Sequence, residues 1–132
     1  MFIWNKEKYP FSILDADTMD NFNENFENMW NSIVDYEGKN AVNGMIHGEG
    51  IKAECKMIDE FFDKTFGDGT SKKMFGKKYD LADRTSAVKK LYNLAKKQLK
   101  EQKEKVNEIA KMAGAKLKND SKETADNTEN RE

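Results

Sequence analysis

Apolar residues recur at spacings of three and four along most of this chain, the pattern of helices that bury one face. The first such run covers residues 19–34, a second runs from about 51 to 66, and a third begins at residue 81. Asp15 and Asp17 precede the first run, and both are residue types that cap helices and suit the positive end of the helix dipole. The pattern therefore predicts three principal helices.

Glycines mark where the predicted helices should end. Gly38 is expected to end the first helix, and residues 37–50, which hold four glycines, are expected to form a loop. Gly67 should end the second helix, because glycine adopts positive φ without strain. A single helical turn over residues 72–75 should follow, capped by Thr70 or Ser71 and closed by Gly76.

Aromatic and β-branched residues dominate the first fourteen positions, and such residues favour strands. Residues 5–8 form a polar break between two apolar clusters, and Pro10 restricts this segment to an edge. A short hairpin is marginal on its own in water, so we expect this one to pack on the helices. The predicted core comprises Trp4, Phe22, Phe26, Trp30, Ile33, Ile58, Phe62, Phe66, Phe75, Leu91 and Leu94.

The last predicted helix is long and basic, and it covers residues 81–113 with Asp80 as its cap. Residues 115–132 hold one large apolar side chain and many charged or amide ones, so they cannot bury enough surface to offset their ordering entropy. The prediction is a mainly α fold: one helical domain over residues 1–114, with an extended hairpin over 1–14, and a disordered tail over 115–132.

The net charge of −1 hides an uneven distribution. Residues 1–63 hold 13 acids and 5 bases, a net of −8, whereas residues 88–118 hold 10 bases and 3 acids, a net of +7. The basic helix either lies solvated beside the acidic half or meets an acidic partner. A near-neutral total argues against a dedicated nucleic-acid binder.

The composition also excludes several classes of protein. No apolar run approaches the roughly 20 residues of a membrane-spanning helix, and the first residues lack the pattern of a signal peptide. One Cys precludes an internal disulfide and suits a reducing compartment, so we expect a cytoplasmic protein. One His and one Cys disfavour a zinc site.

No motif in the chain predicts catalysis. Residues 67–73 combine Gly, Ser, Thr and Lys as phosphate loops do, but a helix precedes them and the order of a P-loop is missing. Asp15, Asp17 and Asp20 start like a calcium loop, yet its required Gly and Glu are absent. No nucleophile and base pair is apparent, and His47 should lie exposed in a loop. We therefore expect no enzyme activity, no catalytic residues, no cofactor and no metal.

The segment from residue 55 to residue 76 reads CKMIDEFFDKTFGDGTSKKMFG. It resembles the signature of small proteins from phages and prophages of Gram-positive bacteria, in which a helix ending in FFD is followed by FG, GT and a second FG. The opening of the chain over residues 11–17 is similar to theirs, so the resemblance spans roughly residues 2–94. The residues that carry the signature are Phe61, Phe62, Asp63, Phe66, Gly67, Gly69, Thr70, Phe75 and Gly76.

The resemblance implies a virion morphogenesis protein, similar to tail assembly chaperones. Such chaperones are helical, cytosolic and non-enzymatic, and they coat a tape-measure or tail-tube client before the tail assembles. The signature residues would then fix the turn between helices. Two alternatives stay open: a structural minor tail or adaptor component of the virion, and a regulatory or host-interaction protein. The second would use the basic helix, with Lys89, Lys90, Lys96 and Lys97 as its partner-binding residues. Self-association also stays open.

Overall fold

The computed structural model describes the backbone of residues 1–117 and the side chains of residues 1–114. Over these residues it has six elements, in the order β1 Phe2–Trp4, β2 Glu7–Tyr9, α1 Ala16–Asn40, α2 Gly48–Phe66, α3 Thr70–Phe75 and α4 Leu81–Leu117. The predicted mainly α fold with an N-terminal hairpin is confirmed. The chain divides into two units, one from Met1 to Gln98 and a second that begins at Leu99 within α4.

The disorder predicted for residues 115–132 lies outside the described residues, except at its start. There α4 continues to Leu117, a few residues beyond the predicted end of the helix. At its other end, Asp80 accepts hydrogen bonds from the backbone N–H of Ala82 at 2.9 Å and of Asp83 at 3.4 Å. The predicted cap of this helix is therefore confirmed.

The N-terminal hairpin is closed by a two-residue turn. β1 and β2 pair antiparallel, with Phe2 opposite Tyr9 and Trp4 opposite Glu7. Asn5 and Lys6 form the turn with positive φ values of 48° and 68°. Positive φ at both central residues matches the right-handed twist of the strands. Only the first two residues of the predicted polar break over residues 5–8 form the turn. The other two, Glu7 and Lys8, belong to β2.

Helices α1 and α2 both extend into the loop that the glycines of residues 37–50 had predicted. α1 continues past Gly38 to Asn40, and α2 begins at Gly48, so the loop of residues 37–50 shrinks to residues 41–47. A glycine inside a helix costs only about 1 kcal/mol relative to alanine. Past Gly38, the exposed last turn of α1 is held by a Lys39–Asp35 ion pair of 3.2 Å and by a hydrogen bond of 2.9 Å from the Asn40 amide to the Tyr36 carbonyl. Gly50 is buried, and a Cβ atom there would lie 2.9 Å from the Cβ of Ile46.

Aromatic rings fill the core of the first unit. Of the predicted core residues, Phe22, Ile58, Phe62 and Leu91 are buried. Six others are partly buried against the core, namely Trp4, Phe26, Ile33, Phe66, Phe75 and Leu94. The prediction for Trp30 is wrong, because its side chain is 56% exposed. It lies at the edge of the apolar face of α1, where α4 leaves a groove open.

The N-terminal segment contributes more to the core than predicted. Phe2, Phe11 and Ile13 are all buried. The side-chain amide of Gln98 on α4 fixes this segment, because it accepts from the Ile13 N–H at 2.8 Å and donates to the Phe11 carbonyl at 2.9 Å. The indole of Trp4 donates to the Met74 carbonyl at 3.2 Å. The hairpin and the strand-like residues after it are thereby joined to α3 and α4.

Candidate functional site

The signature segment is built around one carboxylate that caps a helix. Asp63, near the end of α2, accepts from the backbone N–H of Ser71 at 2.8 Å and from the Ser71 hydroxyl at 3.1 Å. These groups belong to the first turn of α3, where a phosphate-binding loop would present its donors to an anion. The protein's own carboxylate occupies that position, which gives a physical reason for rejecting a phosphate loop here.

The glycines of the signature permit the turn between α2 and α3. Gly67 and Gly69 have φ values of 119° and 89°, and Gly76 has 69°. These are conformations that side-chain-bearing residues rarely adopt. Thr70 donates its hydroxyl to the Gly67 carbonyl at 2.7 Å. Gly69, rather than Thr70 or Ser71, is the N-cap of α3, so the predicted capping residue is wrong. Asp63 supplies the cap from a distance of eight residues.

The phenylalanines of the signature form one connected aromatic cluster. Phe62 lies at the centre, with ring centroids 5.1 Å from Phe61, 6.3 Å from Phe66 and 5.6 Å from Phe75. Phe61 and Phe62 are buried, and Phe66 and Phe75 are partly buried against the core. The structure therefore brings all the signature residues together at the junction of α2 and α3. Each of them packs against another ring, makes a hydrogen bond, or has the positive φ that the turn requires.

An arginine that sequence reasoning missed joins α2, α4 and the segment between α3 and α4. Arg84 is 2% exposed, and its guanidinium binds the Asp59 carboxylate through two contacts, of 2.9 Å and 3.3 Å. It also donates to the Lys78 carbonyl at 2.8 Å. The Phe75 ring lies beneath it, 4.7 Å from Cζ to the ring centroid.

The use of arginine at this position could have been noticed in the sequence. Arg84 and Arg131 are the only arginines among the 23 basic residues of the chain. A planar guanidinium with five donors suits a buried bidentate ion pair better than the point charge of a lysine. The choice of arginine at residue 84 is therefore consistent with the buried ion pair, although the sequence does not name Asp59 as its partner.

Two further ionisable groups are buried on α2. Glu54 is 3% exposed, and its Oε2 atom has no hydrogen-bond partner. Burial raises the pKa of Glu54 to about 7, and a hydrogen bond to Glu37 and repulsion from its charge act in the same direction. Cys55 is fully buried, and burial raises the pKa of its thiol while the charge of Arg84 acts against this.

Glu54 should make the protein less stable as the pH rises. In the unfolded chain this carboxyl loses its proton near pH 4.5, whereas the folded protein holds the proton up to about pH 7. The free energy of unfolding should therefore fall as the pH rises from about 4.5 to about 7 and stay lower above that range. We expect Glu54→Gln to remove most of this loss and to be more stable than the parent at pH 8.

Urea denaturation from pH 4.5 to pH 8 measures this dependence. Glu49→Gln is the matched control, because Glu49 lies exposed on the same helix. It should keep the pH profile of the parent. Equal pH profiles for the parent and Glu54→Gln would contradict the prediction.

The best candidate for a binding site is an apolar groove in the first unit. It has a volume of about 380 Å³ and lies between α1, α2 and α4. Trp30 is 56% exposed on one wall, and Tyr92 is 44% exposed on the other. The residues that line the groove are Phe26, Met29, Trp30, Ile33, Ile58, Thr85, Val88, Lys89 and Tyr92. Among these residues, Lys89 is the single charged side chain.

The predicted partner-binding lysines divide into two pairs. Lys89 lines the groove, and the Lys96 ammonium lies 5.8 Å from the centroid of the Tyr92 ring. These two residues give the α4 side of the groove a positive charge. Lys90 and Lys97 are exposed on α4 and do not line it. The structure thus joins the first pair, but not the second, to the candidate site.

A second cavity of about 310 Å³ lies between α1 and α2 and has a polar lining that includes Asn28, Asn31 and Ser32. At its edge the Asn25 amide donates hydrogen bonds to the side-chain oxygens of Asn21 and Thr65. These polar groups therefore already have partners within the protein. Within the described residues, no group of three or more His, Cys, Asp or Glu side chains could hold a metal ion.

Comparison with known proteins places the chain in one family. Residues 5–131 match a family of unknown function (DUF6673), and the chain belongs to that family. No curated protein matches the chain, and no solved structure matches it. Over the described residues, every helix is too short or too polar to cross a membrane.

Proposed function

We propose that this protein is a non-enzymatic phage tail morphogenesis protein, an assembly chaperone that holds an amphipathic helix of a tape-measure or tail-tube client. The observation that carries the proposal is the apolar groove between α1, α2 and α4, with Trp30 and Tyr92 exposed on opposite walls. Large aromatic side chains of this kind dominate the energy of many protein interfaces. The phage setting rests on the resemblance of residues 55–76.

The chemistry of the groove favours an amphipathic helix as its occupant. Such a helix lays apolar side chains, spaced three and four residues apart, into a groove. Met29 at the base of the groove is flexible and adapts to different partner side chains. Lys89 and Lys96 provide positive charge on the α4 side, so the client helix should carry acidic residues beside its apolar face.

Co-expression with a tape-measure protein and with a tail-tube protein from the same phage genome tests the proposal. The protein should co-purify with one of them as a stable complex. Trp30→Ala together with Tyr92→Ala should weaken that complex at least about tenfold, because both anchors are lost. Met45→Ala is the matched control, since Met45 is 71% exposed and lies outside the groove. It should bind as the parent does.

Three outcomes would overturn the proposal. Binding to neither client would exclude the chaperone role. Detection of the protein in purified mature virions by mass spectrometry would instead assign it to the structural components. Salt-dependent binding to DNA or RNA, lost when Lys89, Lys90, Lys96 and Lys97 become Glu, would favour the regulatory alternative.

A further inference from the structure

We propose that identical copies of this chain associate through residues 99–114 of α4, packed parallel and in register. Every residue in this stretch is exposed, although the stretch is helical throughout. Its large apolar side chains are Leu99 at 44% exposed, Val106 at 48%, Ile109 at 63% and Met112 at 66%. Four large apolar side chains exposed within sixteen residues make this segment a candidate interaction surface.

The spacing of these residues follows the coiled-coil pattern over two heptads, enough for a short helix-helix contact. Leu99 and Val106 are seven residues apart, and Gln102 and Ile109 follow them by three residues each. Positions with this alternation of three and four form the a and d seam along which helices pack. We call the set Leu99, Gln102, Val106, Ile109 and Ala113 the distal stripe.

Gln102 indicates that a copy of the same helix covers the distal stripe. In a parallel, in-register pair Gln102 faces Gln102 of the other copy, and each amide can donate to and accept from the other. In an antiparallel pair with Leu99 opposite Ile109, Gln102 would face Val106 and its amide would lose that partner. In known coiled coils one buried polar seam residue, such as Asn at a, specifies the register, and the Gln102 pairing described above extends this to a parallel arrangement.

The charges of this segment permit identical copies to approach. Residues 99–114 hold four Lys and three Glu, a net of +1, so two copies repel each other weakly. The positions beside the seam, called e and g, also matter in a parallel pair. There Lys105 falls opposite Ala110 of the other copy, so this pair brings no like charges together. A strongly basic segment would have argued against self-association.

Site-specific disulfide formation tests orientation and register. Leu99→Cys should give a covalent dimer under mild oxidation, because residue 99 faces its own copy. Glu104→Cys, on the opposite side of the helix, and the parent, whose Cys55 is fully buried, should remain uncrosslinked. Failure of Leu99→Cys to crosslink would overturn the proposal. So would crosslinking of Leu99→Cys to Ile109→Cys in preference to itself.

Analytical ultracentrifugation of the purified protein alone tests the association itself. The mass of the parent should rise with concentration, and the double variant Val106→Glu, Ile109→Glu should stay monomeric while Glu104→Gln behaves as the parent. Leu at a with Ile at d also suits three or four strands, so any mass above the monomer supports the proposal. A monomeric parent at every concentration would overturn it. No client is present, so the result is independent of the proposed chaperone role.

Discussion

Arg84→Met should destabilise the protein by about 3 kcal/mol, because it removes the charge that Asp59 is paired with inside the fold. Methionine keeps most of the volume, so the loss reflects the ion pair and its hydrogen bonds rather than a cavity. The variant leaves the Asp59 carboxylate without its bidentate partner and deprives the Lys78 carbonyl of its donor at 2.8 Å. Removing one partner of a buried pair is costly for this reason.

A second variant separates this cause from general damage. Asp59→Leu combined with Arg84→Met removes both charges, so it should be at least about 1 kcal/mol more stable than Arg84→Met alone. Lys90→Met, an exposed change on the same helix, should stay within about 0.5 kcal/mol of the parent. Urea denaturation at pH 7 measures all three. If Arg84→Met costs no more than Lys90→Met, the ion pair does not stabilise the fold.

Phe62→Ala should cost about 3 to 5 kcal/mol, the usual range for a fully buried phenylalanine. Its ring is 0% exposed and contacts the rings of Phe61, Phe66 and Phe75. Such a loss is a large part of the about 5 to 15 kcal/mol that stabilises a typical domain. The variant should therefore unfold at a much lower urea concentration than the parent.

Trp30→Ala provides the contrast, although its side chain is larger. The ring is 56% exposed in the groove, so its removal should cost about 1 kcal/mol or less. The same urea titration compares the two variants directly. Equal losses for Phe62→Ala and Trp30→Ala would mean that Trp30 belongs to the core after all, and that the groove is closed in solution.

The helices could be predicted from the sequence because their apolar residues repeat with the period of a helix. The same pattern could not place Trp30. Periodicity gives the face of a helix on which a side chain lies, but not whether a neighbouring helix covers the edge of that face. Phe2, Phe11 and Ile13 were missed as core for a related reason, since the burial of an extended segment depends on what packs over it.

The roles of the charged residues were also beyond the sequence. Asp63 reads as part of a signature, and Arg84 stands out only as an arginine in a lysine-rich chain. The partners of both lie elsewhere in the sequence: Asp63 caps a helix eight residues away, and Arg84 binds Asp59 at 2.9 Å. Nothing in local spacing specifies such partners. The groove is likewise a property of three helices together, although each of its apolar residues belongs to a recognisable stripe.

The amino-acid sequence by itself determined the helices, the hairpin and the glycine turn, since each follows from local conformational preference and from the spacing of apolar residues. The tertiary structure decided which faces are covered, which charges are paired and where an apolar groove stays open. These depend on distances between residues far apart in the chain, and such distances are fixed only when the elements pack.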